Sequence, residues 1–230
     1  SPAELDHIRS VLGSVDGYIL PNGGSPHVVD ALMMHNLVDW SNGISFLFVG
    51  RLDPYTKGLD ILLEAFADAV KMWAGKPLYL TIVGPDWRDN LARLKAQAAN
   101  LGISHLVKFT GALRGDRVAK ILSRADVYIH LSRHEGLPLS VVDALLAGKP
   151  TILSSEVGVP SYSEIRSLPH VEVVVPAKDA ATKAILDFAD RVDDLKVQAE
   201  VCRERISKFF DWERIAVEHL RYYEHMDTNL

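Results

Sequence analysis

From Ile44 onward, short apolar runs alternate with segments whose apolar residues recur every three or four positions. ISFLFVG, residues 44–50, is almost continuously apolar and ends in glycine, the pattern of a strand covered on both faces. The next segment places Leu59, Leu62, Leu63, Phe66, Val70 and Trp73 at helical spacing. LYLTIVG, residues 78–84, repeats the strand-then-glycine pattern. A helix carrying Leu91, Leu94, Ala98 and Leu101 on one face follows it, closed by Gly102. VKFTG, residues 107–111, reads as a third strand, a short helix spans Val118 to Ala125, and VYIHLS, residues 127–132, reads as a fourth strand. Pro138 and Gly148 bracket another helix. TILSS and VEVVVP are two further strands, followed by helices over Ala180–Val192, from Leu195 to about Phe209 and from Trp212 to about Met226, the last with Asp211 as its cap.

Strands alternating with helices predict an α/β fold, a doubly wound Rossmann-like parallel sheet with C-terminal helices. Ligands of such sheets bind beyond the carboxyl ends of the strands, which here carry Gly50, Gly84, Gly111 and Ser132. No G-x-G-x-x-G follows the first strand and no G-x-x-x-x-G-K-[ST] occurs, which disfavours a nicotinamide oxidoreductase and a P-loop. Composition adds bounds. Among 230 residues, 48% are hydrophobic and 24% charged, enough for a packed globular core. A net charge of −5 argues against a nucleic-acid partner held by a broad basic surface, but not against a small anion held by a few cations. Cys202 is the only cysteine, so no intrachain disulfide forms and a reducing, cytoplasmic setting is expected. No apolar run reaches the roughly 18 residues of a membrane span. The chain starts without a methionine, and the expectation is a fragment of a longer protein.

Two stretches carry candidate chemistry. In GRLDPYTKG, residues 50–58, Arg51 follows the first strand and Lys57 precedes the next helix. A planar fork of donors beside a compact point charge suits a diphosphate, although two cations at a sheet edge are equally read as solvated surface. In RHEGLPLSVVDALLAGKP, residues 133–150, a helix starting at Pro138 would aim the free amides of Leu139 and Ser140 at the strand ends, a natural anion site. Glu135 falls in the preceding loop and Asp143 more than one turn inside the helix. A lone buried carboxylate is costly, so periodicity alone places Asp143 on a solvent-facing strip. His130, His134 and Glu135 lie close together, but their spacing is not that of a zinc site.

The ordered motifs G-R-x-x-x-x-x-K-G, V-G-P, F-T-G and S-R-H-E-G-L-P-L-S-V-V-D-A-L-L-A-G-K-P resemble a known family. It is the retaining, nucleotide-sugar-dependent glycosyltransferases of the GT-B fold, in family four (glycosyl transferases group 1). The resemblance runs from about Phe46 to Pro176 and resumes at D-W-E-R-I, residues 211–215. It implies that residues 24–210 bind the sugar nucleotide, that residues 1–23 are the remnant of an N-terminal domain and its crossover, and that residues 211–230 cross back to that domain. Arg51 and Lys57 would hold the donor's diphosphate, and Glu135 would contact the transferred sugar. Gly50, Gly84, His134, Gly136, Leu139 and Ser140 would line the donor site, with Ala112, Leu113 and Arg114 against the base. The family's second acid, which contacts the ribose, is here Asp143 rather than the usual glutamate. The P-N-G triplet at Pro21–Gly23 resembles the crossover but continues as Gly-Ser-Pro instead of Val-Asp.

The implied partners are an NDP-sugar donor and a glycan or lipid-linked acceptor bound by the N-terminal domain, with peripheral membrane association of the whole protein. Neither a metal nor another cofactor is implied. The apolar stripe Trp212, Ile215, Leu220, Tyr223 and Met226 would pack on core or on that domain. The chain alone is expected to bind a nucleoside diphosphate weakly and to have little or no transferase activity. Two other readings stand beside this one: a GT-B-like nucleotide-sugar epimerase, and a non-catalytic module in which Asp143 marks a decayed site.

Overall fold

The computed structural model describes residues 1–13, 17–25 and 42–227, with side chains of the last helix described through residue 224. Six strands form one sheet: β1 (Ile44–Val49), β2 (Leu78–Val83), β3 (Val107–Gly111), β4 (Val127–His130), β5 (Thr151–Ser154) and β6 (Val171–Val174). All neighbours pair in parallel, in the order β3-β2-β1-β4-β5-β6. The helices are α1 (Pro2–Leu12), α2 (Leu59–Met72), α3 (Asn90–Asn100), α4 (Asp116–Arg124), α5 (Leu139–Leu146), α6 (Ser163–Arg166), α7 (Lys178–Asp190), α8 (Val192–Phe209) and α9 (Trp212–Asp227). This is the expected α/β, Rossmann-like class. Every strand read from the sequence is present. The expected helix over 180–192 is divided differently, because Arg191 leaves helical geometry and α8 begins directly after it.

Side chains alternate across each strand, so β1 feeds two apolar layers at once. Phe46 and Phe48 pack with Leu62, Phe66, Ile185 and Phe188 on one face. Leu47 packs with Tyr128, Val142, Leu145 and Phe210 on the other. Each such side chain, fully buried, contributes about 1.5–3 kcal/mol relative to exposure. Periodicity missed α1 and the short Val159–Ser161 3-10 turn that leads into α6. The latter two are a single turn each, too short to show a helical repeat.

The chain winds outward from β1 to β3 and then returns to lay β4 on β1's free side, pairing Phe46 with Val127 and Leu47 with Tyr128. The loops leaving β1 and β4 therefore diverge to opposite sides of the sheet and open a crevice between their strands, the usual ligand position in this fold. Two glycines let these loops approach. Gly58 has φ 63°, and a Cβ there would lie 2.0 Å from the Leu131 carbonyl oxygen. A Cβ on Gly84 would lie 1.7 Å from the Gly50 carbonyl oxygen. Neither position tolerates a side chain without displacing backbone.

On α9, Ile215 is buried, whereas Trp212, Leu220 and Tyr223 are half-exposed or more. The apolar stripe thus divides between core and surface, and the Met226 side chain lies outside the described residues.

One buried group makes stability pH-dependent. His170, just before β6, is fully buried, and neither ring nitrogen has a hydrogen-bond partner among the described residues. Burial, with the neighbouring Arg205 charge, holds its pKa down at about 4 from 6.5. The unfolded chain therefore takes up this proton first, and stability falls as pH drops from about 6.5 towards 4. Urea unfolding at pH 7 and pH 5 is expected to show an acid-induced loss about 2 kcal/mol smaller in His170→Leu than in the parent. Parallel pH dependence of the two proteins would contradict this.

Candidate functional site

The crevice between β1 and β4 is built by the loops that flank it. After β1, the Asp53 side chain accepts the Thr56 amide at 3.1 Å, and its carbonyl accepts the Lys57 amide at 3.1 Å, which shapes a compact turn. After β4, the Arg133 amide donates to the Thr56 carbonyl at 3.0 Å. The Arg133 guanidinium grips Asp60 at 2.8 and 2.9 Å, donates to the Tyr55 carbonyl and lies over the Tyr55 ring. A two-pronged arginine–carboxylate pair fixes orientation as well as distance. Lys57 and Glu135 are thereby delivered to the same point.

There Glu135 acts as an acceptor hub. One carboxylate oxygen accepts from Lys57 Nζ; the other accepts from Ser132 Oγ at 2.8 Å and from His130 Nε2 at 2.5 Å. Lys57, His130 and Ser132 are all buried. Burial alone would raise the Glu135 pKa, but the bonds and charges of His130 and then Lys57 outweigh it and hold the carboxyl at about 2. His130 is fixed from behind: its ring stacks on Phe48 at 5.3 Å between centroids, and its Nδ1 lies 3.2 Å from the Tyr128 hydroxyl. That hydroxyl donates to Ser140 Oγ at 2.9 Å, which links β4 to the first turn of α5; burial pushes the phenol's pKa well above its usual range.

The other expected residues take the following places. Arg51 is exposed, with its guanidinium 4.4 Å from the centre of the Trp87 ring. Arg88 lies 5.6 Å from the same ring, and Arg88 and Asp89 hold left-handed φ of 54° and 58°. Non-glycine residues in that region store strain. Gly50 and Gly84 face each other, and the Gly84 amide donates to Gly111. Ala112, Leu113 and Arg114 follow β3, and Leu113 packs against the apolar cluster that includes Tyr128, Val141 and Val142. His134 is exposed and attracts Glu4 of α1, whose carboxylate also lies against Gly136. Leu139 and Ser140 open α5 after Pro138 with no side-chain cap, and their amides precede the helix's first internal bonds.

Asp143 is not on a solvent-facing strip. It is buried, and Ser25 covers it: the Ser25 amide donates to Oδ1 and the Ser25 hydroxyl to Oδ2, both at 2.9 Å. Burial raises the Asp143 pKa, and the two Ser25 bonds oppose that rise. Sequence reasoning also passed over Tyr128, His130 and Ser132 as a set. They fall at every second position of VYIHLS, and polar groups on a strand buried on both faces were the available signal. Nothing local to Trp87 or Ser25 marked them.

The family model for glycosyl transferases group 1 matches residues 40–196. A phosphatidyl-myo-inositol mannosyltransferase of Mycobacterium leprae is 28% identical over 189 residues, which is 81% of this chain and 48% of the relative. A glycosyltransferase of Methanocaldococcus jannaschii is 37% identical over 110 residues, 47% of this chain and 26% of the relative. The matched part therefore spans half or less of these relatives' lengths. Among solved structures, the sucrose-phosphate synthase of Thermosynechococcus elongatus superposes with a TM-score of 0.81 at 23% identity, covering 100% of this chain and 58% of that one. Anabaena HepE, solved with UDP and glucose, superposes with a TM-score of 0.66 at 19% identity, covering 99% of this chain and 53% of that one. The structural likenesses show the fold, and the family match spans more than half of the chain: it belongs to the glycosyl transferases group 1.

Proposed function

We propose that this chain is the donor-binding part of a retaining glycosyltransferase that moves a hexosyl group from a nucleoside diphosphate sugar to a glycan or lipid-linked acceptor. The observation that carries the reading is the Lys57–Glu135 ion pair in the β1–β4 crevice, beside the open start of α5. A buried lysine paired to an ionised glutamate exchanges one anion for another when a diphosphate arrives, so its charge is never left unpaired. Lys57 would turn to the diphosphate, joined by Arg51 and by the amides of Leu139 and Ser140. Glu135, still held by His130 and Ser132, would then have one oxygen free for a sugar hydroxyl.

Glycosyl transfer breaks the bond between the anomeric carbon and a phosphate oxygen, leaving negative charge on the diphosphate. Preorganised donors aimed at that charge lower the barrier most, and Arg51, Lys57 and a helix start supply them without a metal. The acceptor oxygen bonds to the anomeric carbon from the same face, and its proton passes to the departing phosphate oxygen. Glu135 accepts three hydrogen bonds, which fits a binding role better than that of a covalent nucleophile. The relative named for phosphatidyl-myo-inositol supports a lipid-linked acceptor class, and HepE's complex supports a UDP-linked hexose as donor. No helix of the described residues is long and apolar enough to cross a membrane.

Calorimetric titration with UDP, GDP and ADP is expected to show binding of at least one. Arg51→Ala, an exposed substitution, should weaken it about tenfold, or ~1.4 kcal/mol. No binding by any of the three, or an Arg51→Ala variant that behaves as the parent, contradicts the reading. Glu135→Gln separates the sugar from the nucleotide: the parent is expected to bind UDP-glucose or GDP-mannose more tightly than the bare diphosphate. That advantage should disappear in the variant, while the bare diphosphate binds at least as tightly as to the parent because Lys57 no longer has to leave a carboxylate. An unchanged ratio would remove Glu135 from the sugar site.

A further inference from the structure

The segment Pro21–Ser25 is held against the donor side of the molecule by contacts that converge from three elements. The Gly24 amide donates to the Phe210 carbonyl at 3.3 Å, and the indole N–H of Trp212 donates to the Gly24 carbonyl at 2.9 Å. Gly24 also lies so close to α5 that a Cβ there would fall 1.8 Å from Leu146 Cδ1 and 3.7 Å from Val142 Cγ1. The backbone is thus pinned immediately before Ser25. That residue spends both of its donors, amide and hydroxyl, on the two oxygens of Asp143, 118 positions away.

The chemistry of that arrangement is specific. An ionised carboxylate offers about four lone-pair positions, and Ser25 occupies one on each oxygen. Among the described residues no other donor takes the remaining position on each oxygen, and these lie at the spacing that two hydroxyls on adjacent carbons present. Two donors from a single pinned residue also hold the carboxylate in one orientation, so a diol would meet an acceptor that is already ordered. The short aspartate side chain and the serine form one unit, in which the serine is the donor that the described residues supply to a buried acid.

We infer that Ser25 is a positioning residue of the donor site, fixing the Asp143 carboxylate so that its remaining lone pairs accept the 2′- and 3′-hydroxyls of the donor's ribose. The inference rests on the proposed function and adds to it a residue from outside the sheet. It also reverses the decayed-site reading: Asp143→Glu pushes an extra methylene towards Gly24 and Ser25 and weakens nucleotide binding.

The test is a calorimetric comparison of UDP with 2′,3′-dideoxy-UDP, or the GDP or ADP pair if that base binds the parent instead. The parent is expected to prefer the ribonucleotide about tenfold, the scale of one or two hydrogen bonds. Ser25→Ala should shrink that preference at least about threefold while leaving dideoxynucleotide affinity unchanged. Ser25→Thr, which keeps the hydroxyl, should restore the preference, and Asp143→Asn should abolish it. Equal weakening of both nucleotides by Ser25→Ala would make Ser25 a structural latch and overturn the inference. Unchanged affinity for both, or tighter binding of both, would overturn it as well. A parent that binds none of the nucleotides fails earlier, at the donor-site reading itself, and takes the inference with it.

Discussion

The site depends on keeping the buried charge of Glu135 satisfied. A carboxylate withdrawn from water is costly unless donors surround it, and here they come from both sides of the crevice: Lys57 from the loop after β1, His130 and Ser132 from β4 and its loop. That requirement joins the two halves of the sheet where strand order reverses. It explains why Gly58 must be a glycine, because the Lys57 turn has to reach the Leu131 carbonyl. It also explains the Arg133–Asp60 clamp, which holds the same two loops in register from outside.

The two cations proposed for the donor phosphate differ in how they are held. Lys57 is buried and tied to its partner, whereas Arg51 is exposed and rests on the face of Trp87. A ligand would find one positive charge already oriented in the crevice and another able to swing in from the rim at small cost. The left-handed backbone at Arg88 and Asp89 follows directly on the ring that supports Arg51.

Much of this was legible in the sequence because it is local. Apolar runs ending in glycine marked the strands and their ligand-facing ends, and Pro138 and Gly148 bracketed α5 closely. Asp143 was misplaced because helical periodicity compares a residue only with its own helix. Its covering partner, Ser25, comes from a segment 118 positions earlier, and no window along the chain contains both. The same limit hid the link from Tyr128 through His130 to Glu135: the residue types were visible, but not that they converge.

The central claim is that Lys57 exchanges Glu135 for a diphosphate. A crystal structure of the chain saturated with UDP or GDP tests it most directly. The account predicts the diphosphate in the β1–β4 crevice, within hydrogen-bonding distance of Lys57 Nζ and the Leu139 and Ser140 amides, with Glu135 still bound by His130 and Ser132. A fully occupied nucleotide seated elsewhere, or one that leaves the Lys57–Glu135 pair intact, would contradict it.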